Sequence, residues 1–314
     1  MKLLSVVFSF RNEQSNIKEL IRRTSSAIKK LNNWDFELIF VNDDSSDNSE
    51  KILLEEQKEF PIKIVNMSRR FGVGPCVLAG LNLAKGDAVV YMDSDLQDPP
   101  EIIPKLIEKF ENGNDVVHTR RTKRFDENPL KLFLTKIAYR VINISSNIPL
   151  PLDSGDFKLL SRRAVNHVNK LNEHNPYIRG LTVWVGFNQD FVEYERQGRF
   201  SGDSKFTFFS TKYWYGATAE FVRGITGYST GPLFLGIFVG LFAIFFSFIL
   251  IIYALYSKLI GTAIPGSSGI IIALAFFSGM ILTTIGITGL YIARIYEQTQ
   301  GRPRYIIKNI LEKK

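Results

Sequence analysis

The sequence predicts an α/β protein, with a doubly wound sheet in its N-terminal part and a two-helix hairpin able to cross a membrane behind it. Three observations carry that prediction. Short β-rich runs alternate with helical stretches from residue 1 to about residue 120. The runs are apolar throughout instead of alternating, as parallel strands covered on both faces are. No Asp, Glu, Lys or Arg occurs between Arg223 and Lys258, nor between Lys258 and Arg294. Each of those two stretches exceeds the roughly 20 residues that a membrane-spanning helix needs.

In order along the chain, the predicted strands are LLSVVFSF, FELIFVN, IKIVNM, AVVYMD and DVVHT. Helices follow the first four, at Asn16 to Leu31, Asp47 to Phe60, Val73 to Ala84 and Pro100 to Asn112. Asp47 and Glu50 have capping-box spacing, and Pro100 with Glu101 suits a first helical turn, where a missing N–H costs nothing and a negative charge meets the dipole. Gly86 and Gly113 are read as helix stops ahead of the fourth and fifth strands. From about Arg120 to Tyr228 the pattern loosens. NPLKLFLTKIAYRVINIS and the aromatic, basic KFTFFSTKYWYGATAEFVRGITGYS fit either the membrane interface or ordinary packing on the sheet. The two spans are expected at about Pro232 to Ser257 and Ser267 to Ala293. The connector from Leu259 to Gly266 is short, so the spans form a hairpin with both flanks on one side. Lys205, Lys212, Arg223, Arg294, Arg302, Arg304 and Lys308 lie on that side against Lys258 alone in the connector, which places the flanks in the cytoplasm.

The remaining totals exclude several classes. MKLLSVVFSF has too short an apolar run, and no cleavage site, for a signal peptide. A lone cysteine, Cys76, forms no internal disulfide and reads as a packed thiol. With two spans, the net charge of +8 points to an anionic lipid surface and not to nucleic acid. His118, His167 and His174 have no ligand spacing, so no zinc is assigned.

In doubly wound sheets ligands gather at the carboxyl ends of the strands, which directs attention to Ser9 to Glu13, Asn42 to Asp47, Ser68 to Gly74 and Asp93 to Pro99. The last loop, DSDLQDPP, brings Asp93, Asp95 and Asp98 together, and carboxylates that close repel unless a cation sits among them. Asp93 and Asp95 can hold Mg²⁺ or Mn²⁺ while the metal bridges a nucleotide's phosphates, and Gln97 offers a further oxygen ligand. Asp98 stands where an EF-hand loop requires glycine.

FSFRNE, VNDDSSD, SRRFG with LAGL, DSDLQDPPE, DSGDFKLLSR and RFSGDSKF, in this order, resemble the polyprenyl-phosphate glycosyltransferases of family 2. Within it they are most similar to the bactoprenol glucosyltransferases of O-antigen modification, and more distantly to dolichol-phosphate mannose synthase. The resemblance spans essentially the whole chain. It implies a GT-A fold and inverting transfer of a sugar, glucose favoured, from a UDP-linked nucleotide donor to polyprenyl (undecaprenyl) phosphate at a bacterial inner membrane. It also implies a homo-oligomer. By position, Phe10, Glu13 and Asp44 would contact base and ribose, Asp93 the ribose and metal, and Asp95 and Gln97 the metal. Asp156 would act near the acceptor, with Asp153 a weaker candidate; the alternative for Asp156 is a turn carboxylate paired with Arg162 or Arg163. Arg11, Ser45, Ser46 and Val73 depart from the family pattern and leave the sugar open.

A phosphate monoester is mostly dianionic at neutral pH, with a second pKa of about 6, so it needs cations more than a base. Arg196, Arg199 and Lys205, just ahead of the first span, are the expected acceptor-phosphate ligands, unless they anchor lipid headgroups. Arg120, Arg121, Lys123 and Arg124 are either further ligands or a solvated basic loop. The organisation expected is a catalytic domain at 1–200, interfacial helices at 201–231, the hairpin at 232–294 and a basic tail at 295–314. No Q-x-x-R-W motif is present, which argues against a processive synthase. A membrane-tethered nucleotide-sugar sensor is the rival from another class, and the intact acidic residues argue against it.

Overall fold

A computed structural model describes residues 1–124, 140, 154–174, 176–198, 218, 222, 224–261 and 267–313. The amphipathic stretch around 128–145 apart from Arg140, most of the aromatic and basic stretch from 205 onward, Asp153, Arg199 and Lys205 lie outside the described residues.

Four parallel strands form the centre of the sheet: β1 (Lys2–Phe10), β2 (Trp34–Asn42), β3 (Ile62–Met67) and β4 (Ala88–Asp93). Their apolar runs are buried on both faces, as the unbroken Val, Ile and Phe pattern requires. Helix α1 (Ile17–Ile28) presents Ile17, Leu20, Ile21, Thr24 and Ile28 inward, spacing that a helix turns into one stripe. Helix α3 (Val73–Leu83) lies so close to β1 that a Cβ on Gly80 would stand 2.2 Å from Val7 Cγ1, so this position admits glycine alone. Helix α2 (Ser49–Glu56) starts one residue later than capping-box spacing implies: Asn48 is the N-cap, and Asp47 accepts from the Ser49 and Gln14 amides. A 3₁₀ turn (Pro100–Ile102) leads into α4 (Ile103–Glu111), which stops at Gly113 with φ of +91°. Gly86 serves another purpose than the expected helix stop. A Cβ there would meet the Ser5 amide at 2.6 Å, so it allows the turn before β4 to pass against β1.

The full sheet has eight strands in the order β7-β5-β6-β4-β1-β2-β3-β8 and is mixed. β5 (Val116–Arg124) runs five residues beyond the expected DVVHT, carrying Arg120, Arg121, Lys123 and Arg124 on a strand instead of a loop. β6 (Ser154–Ser161) is antiparallel to both β4 and β5, and β7 (Gln189–Arg196) is parallel to β5. Between them lie α5 (Arg162–Lys170), capped by Ser161 accepting from the Ala164 amide, and α6 (Ile178–Trp184). Because β6 runs against its neighbours, its start lies at the edge where β1 to β5 and β7 end. That reversal builds the site.

The C-terminal segment is not a separate tail. β8 (Ile307–Glu312) pairs antiparallel with β3, and Asn66 Nδ2 donates to Asn309 Oδ1 at 2.9 Å. Lys63 reaches Glu312 at 3.4 Å, and Gln57 donates to the Leu311 carbonyl at 3.0 Å. Residues 302–313 therefore belong to the same compact unit as the rest of the sheet.

A second unit holds the two long helices, α7 (Gly231–Leu259) and α8 (Ser267–Thr299). They contain apolar stretches Gly231–Tyr253 and Phe276–Thr299, with mean hydropathy 2.9 and 1.6, long enough to cross a bilayer. Phe246 packs on Phe276 with ring centroids 5.3 Å apart. The hydroxyls of Thr283, Thr284 and Thr288 donate to carbonyls four residues back, so these polar atoms are satisfied within the helix.

Candidate active site

The loops after β1 and β2 are locked together. The Asn12 amide donates to Ser45 Oγ at 3.0 Å, the Ser46 amide to Asn12 Oδ1 at 2.8 Å, and the Glu13 amide to Ser49 Oγ at 3.1 Å. Asn12 and Asp44 take positive φ of 55° and 58°, which short polar side chains tolerate best among non-glycine residues. Ser45 and Ser46, departures at the sequence level, thus bind Asn12. Of the expected nucleotide contacts, Asp44 is exposed, while Glu13 is 6% exposed and accepts from Asn16 Nδ2 at 2.6 Å. Phe10 is 3% exposed and lies edge-on to Phe40, so its ring forms the floor beneath these loops and offers no open face. Asp43, which spacing alone did not single out, accepts from the Phe71 amide at 2.6 Å and the Gly72 amide at 3.0 Å. It ties the loop after β3 to the loop after β2.

The loop after β4 sorts its residues by alternation. Asp93, Asp95 and Gln97 are partly exposed, whereas Ser94, Leu96 and Asp98 are buried. Ser94 donates to the Ser9 carbonyl at 3.2 Å, and Leu96, held at φ of 60°, sits in the core. The Asp95 carboxylate accepts from the Gln97 amide at 3.1 Å.

Asp98 leaves the acidic trio. Its side chain is wholly buried and takes Arg121 Nη2 at 3.1 Å, Arg196 Nε at 3.5 Å and the Tyr194 hydroxyl. Arg121 reaches it by crossing β6 over Gly155, where a Cβ would stand 2.5 Å from Arg121 Nη2 and would force the guanidinium to shift. The basic run therefore does not form a solvated loop: Arg121 is internal, and Arg120 pairs with Glu193 at 3.6 Å while lying over the Phe191 ring. Arg196, expected at the acceptor phosphate, stands at the end of β7 beside Asp98.

Asp156 lies across from the loop after β4. Tyr91 of β4 is opposite Lys158 of β6, and the same register carried two residues further sets Asp93 across from Asp156. Arg162 and Arg163 are engaged elsewhere, with the Gly86 carbonyl and Asp115, and the partner of Asp156 is Arg179 of α6. Burial works to raise the Asp156 carboxyl, but the charge and hydrogen bonds of Arg179, with Lys158 and Arg121 behind them, hold it down at about 2. Asp93 has the opposite fate. Burial, then repulsion from Asp156, Asp95 and Asp98, pushes it up to about 7, and Arg121 offsets only part of this. Beneath the pair, burial lowers Lys158 to about 7.

The donor set suits a hard divalent cation. Two carboxylates and a side-chain amide share the partly exposed positions of this loop, and the charge excess centres on Asp93, where a cation would relieve it. Among the described residues no three His, Cys, Asp or Glu side chains form a closed cage. An ion held here would complete its shell from phosphate oxygens and water, as Mg²⁺ commonly does at nucleotide sites.

Similarity to known proteins runs the length of the chain. A glycosyltransferase of Bacillus subtilis (strain 168) named YkcC, itself uncharacterized, is 38% identical over 97% of this chain and 93% of its own length. The bactoprenol glucosyl transferase of Shigella phage SfV is 36% identical over 99% of both. Among solved structures, the glucosyl-3-phosphoglycerate synthase of Mycobacterium tuberculosis, crystallised with Mn²⁺, UDP and phosphoglyceric acid, is 18% identical with a TM-score of 0.53, over 72% of this chain and 76% of that one. The fold it shares is the GT-A arrangement of sheet and helices. The family description "Glycosyl transferase family 2" matches residues 5–168, from β1 through the loop after β4 and Asp156, and the chain belongs to that family.

Proposed function

We propose that this chain is a membrane-held, inverting glucosyltransferase that moves glucose from UDP-glucose to polyprenyl phosphate. The observation that carries the reading is the alternation that leaves Asp93, Asp95 and Gln97 partly exposed after β4, across from Asp156 and its guanidinium partner Arg179. Near-complete alignment with bactoprenol glucosyl transferases supports glucose and a polyprenol as the two partners.

In this reading Asp44 and Glu13 meet the nucleoside, and Asp93, Asp95 and Gln97 hold a divalent ion, Mg²⁺ or Mn²⁺. Such an ion would supply electrostatic stabilisation to the departing diphosphate. An oxygen of the lipid phosphate forms the new bond to the anomeric carbon, the bond to the UDP oxygen breaks, and UDP leaves with that electron pair. The phosphate is already ionised, so no side chain has to take a proton. Arg196, with Arg199 and Lys205, would offset the acceptor's charge.

The hairpin would hold the enzyme where its lipid substrate resides. The chain leaves the catalytic unit before α7 and rejoins its sheet as β8, so two crossings return it to the side it left. Flanking cations support the cytoplasmic face of a bacterial inner membrane for that side.

The test is transfer by the purified full-length chain from labelled UDP- and GDP-sugars to undecaprenyl phosphate, with and without chelator. Label should enter the organic phase with UDP-glucose and vanish with chelator. Label from another sugar alone would overturn glucose, and chelator-resistant transfer would overturn the metal.

A further inference from the structure

We infer that Arg179 is a positioning residue for this reaction, clamping Asp156 so that it serves as a fixed negative charge facing Asp93 and not as a proton acceptor. The inference rests on the glucosyltransferase reading above. Its geometry is a closed ring of contacts between β6 and α6. Arg179 Nε donates to Asp156 Oδ1 at 2.9 Å, and Nη2 donates to Oδ2 at 2.6 Å. Both carboxylate oxygens thereby accept charged hydrogen bonds in the planar fork that a guanidinium provides and an ammonium does not.

The arginine is itself held from behind. Thr182 Oγ1 donates to the Arg179 carbonyl at 3.1 Å and accepts from Lys158 Nζ at 3.0 Å. Lys158 is completely buried and lies two residues from Asp156 on the same face of β6. The ring runs from Asp156 through Arg179 and Thr182 to Lys158, then back along the strand. The two-point contact with Arg179 orients the carboxylate plane, and the Thr182 bonds tie α6 to Lys158 beside it.

The consequence is chemical. Protonation would strip Asp156 of the charge that binds Arg179, and its supposed proton donor, the lipid phosphate, is already ionised. A clamped anion can instead face the positive character that the anomeric carbon gains as its bond to the diphosphate breaks. The pair borders the cleft, with side chains 29% and 21% exposed, so the charge is within reach of bound sugar.

The experiment compares wild type, Arg179→Gln, Arg179→Lys, Asp156→Asn and the double variant Arg179→Gln/Asp156→Asn. It uses the full chain with undecaprenyl phosphate, UDP-glucose and Mn²⁺. Arg179→Gln should lower kcat by about 30-fold or more while KM for UDP-glucose stays within about 3-fold. Arg179→Lys should recover part of the loss, and the double variant should be no slower than Asp156→Asn alone. Full additivity of the two losses, or a raised KM for donor or lipid with kcat preserved, would overturn the inference by making Arg179 a substrate ligand. Absence of transfer by the wild type would instead count against the proposed function, and the cycle is then read in thermal midpoints. Coupling between the two positions there sustains the clamp, and additive shifts refute it.

Discussion

Asp98→Asn should cost the protein far more stability than any other change in its acidic loop. The amide keeps the size and shape of the carboxylate and removes its charge. Asp98 has no exposed side-chain surface, and the guanidinium it serves, Arg121 at 3.1 Å, is 11% exposed. Arg196, 18% exposed, stands 3.5 Å away on the other side. Breaking one partner of a buried ion pair costs about 3–5 kcal/mol, because the remaining charge stays desolvated. Against a total of about 5–15 kcal/mol for a folded domain, this is a large share. At about 2–4 °C per kcal/mol for a unit of this size, the midpoint should fall by about 6–20 °C. The assay is thermal unfolding of the full chain followed by tryptophan fluorescence, since Trp34 and Trp184 both lie in the catalytic unit. Asp98→Asn/Arg121→Met should regain at least about half of the loss, as replacing a whole buried pair by apolar groups is often neutral. A fall below about 2 °C for Asp98→Asn would refute the reasoning, as would a double variant no more stable than the single one.

Three other outcomes are expected. Asp95→Asn should reduce sugar transfer to below about 1% while lowering stability by less than about 1 kcal/mol, since Asp95 is partly exposed; substantial residual transfer would remove Asp95 from the proposed metal set. Burial lowers His118 from 6.5 to about 3 in the folded chain, with Lys158 adding to the effect and Gln189 opposing it. The unfolded chain therefore protonates first, and stability falls as pH drops from about 6.5 toward 3, by up to about 1.4 kcal/mol per unit. His118→Gln should flatten that limb in unfolding measured at pH 7 and pH 5, and unchanged slopes would exclude His118 as its source. Deleting 302–314 should lower the midpoint by about 5 °C or more and promote aggregation, because β3 becomes an open edge; an unchanged midpoint would mean that β8 contributes nothing to the sheet.

Much of the fold was legible in the sequence, and the residues that escaped it share a cause. β1 to β4 and their helices are locally coded, by apolar runs closed with turn residues. β5 past Thr119 reads as a loop because its residues are cationic. It forms a strand because β6 and β7 flank it and Asp98, Glu193 and the Phe191 ring accept its arginines. β8 pairs with β3 across 243 residues, a partner that no local pattern announces. Among site residues, the spacing of Asp93, Asp95 and Gln97 suggests metal ligands, and the structure leaves all three partly exposed. The same spacing grouped Asp98 with them, although its carboxylate turns inward. Arg179 lies 23 positions from Asp156 in an apolar segment, and nothing in that segment advertises its partner.

The sequence by itself determined the α/β order, the two long apolar helices and the residue types at the strand ends, because backbone periodicity and side-chain polarity act over a few residues. Tertiary structure decided which cation answers which carboxylate: Arg121 for Asp98, Arg179 for Asp156, and no single arginine sufficient for Asp93. Coulomb energies depend on distance and burial in space, and both are set only when β6 reverses direction and brings its first residues to the edge where the other strands end.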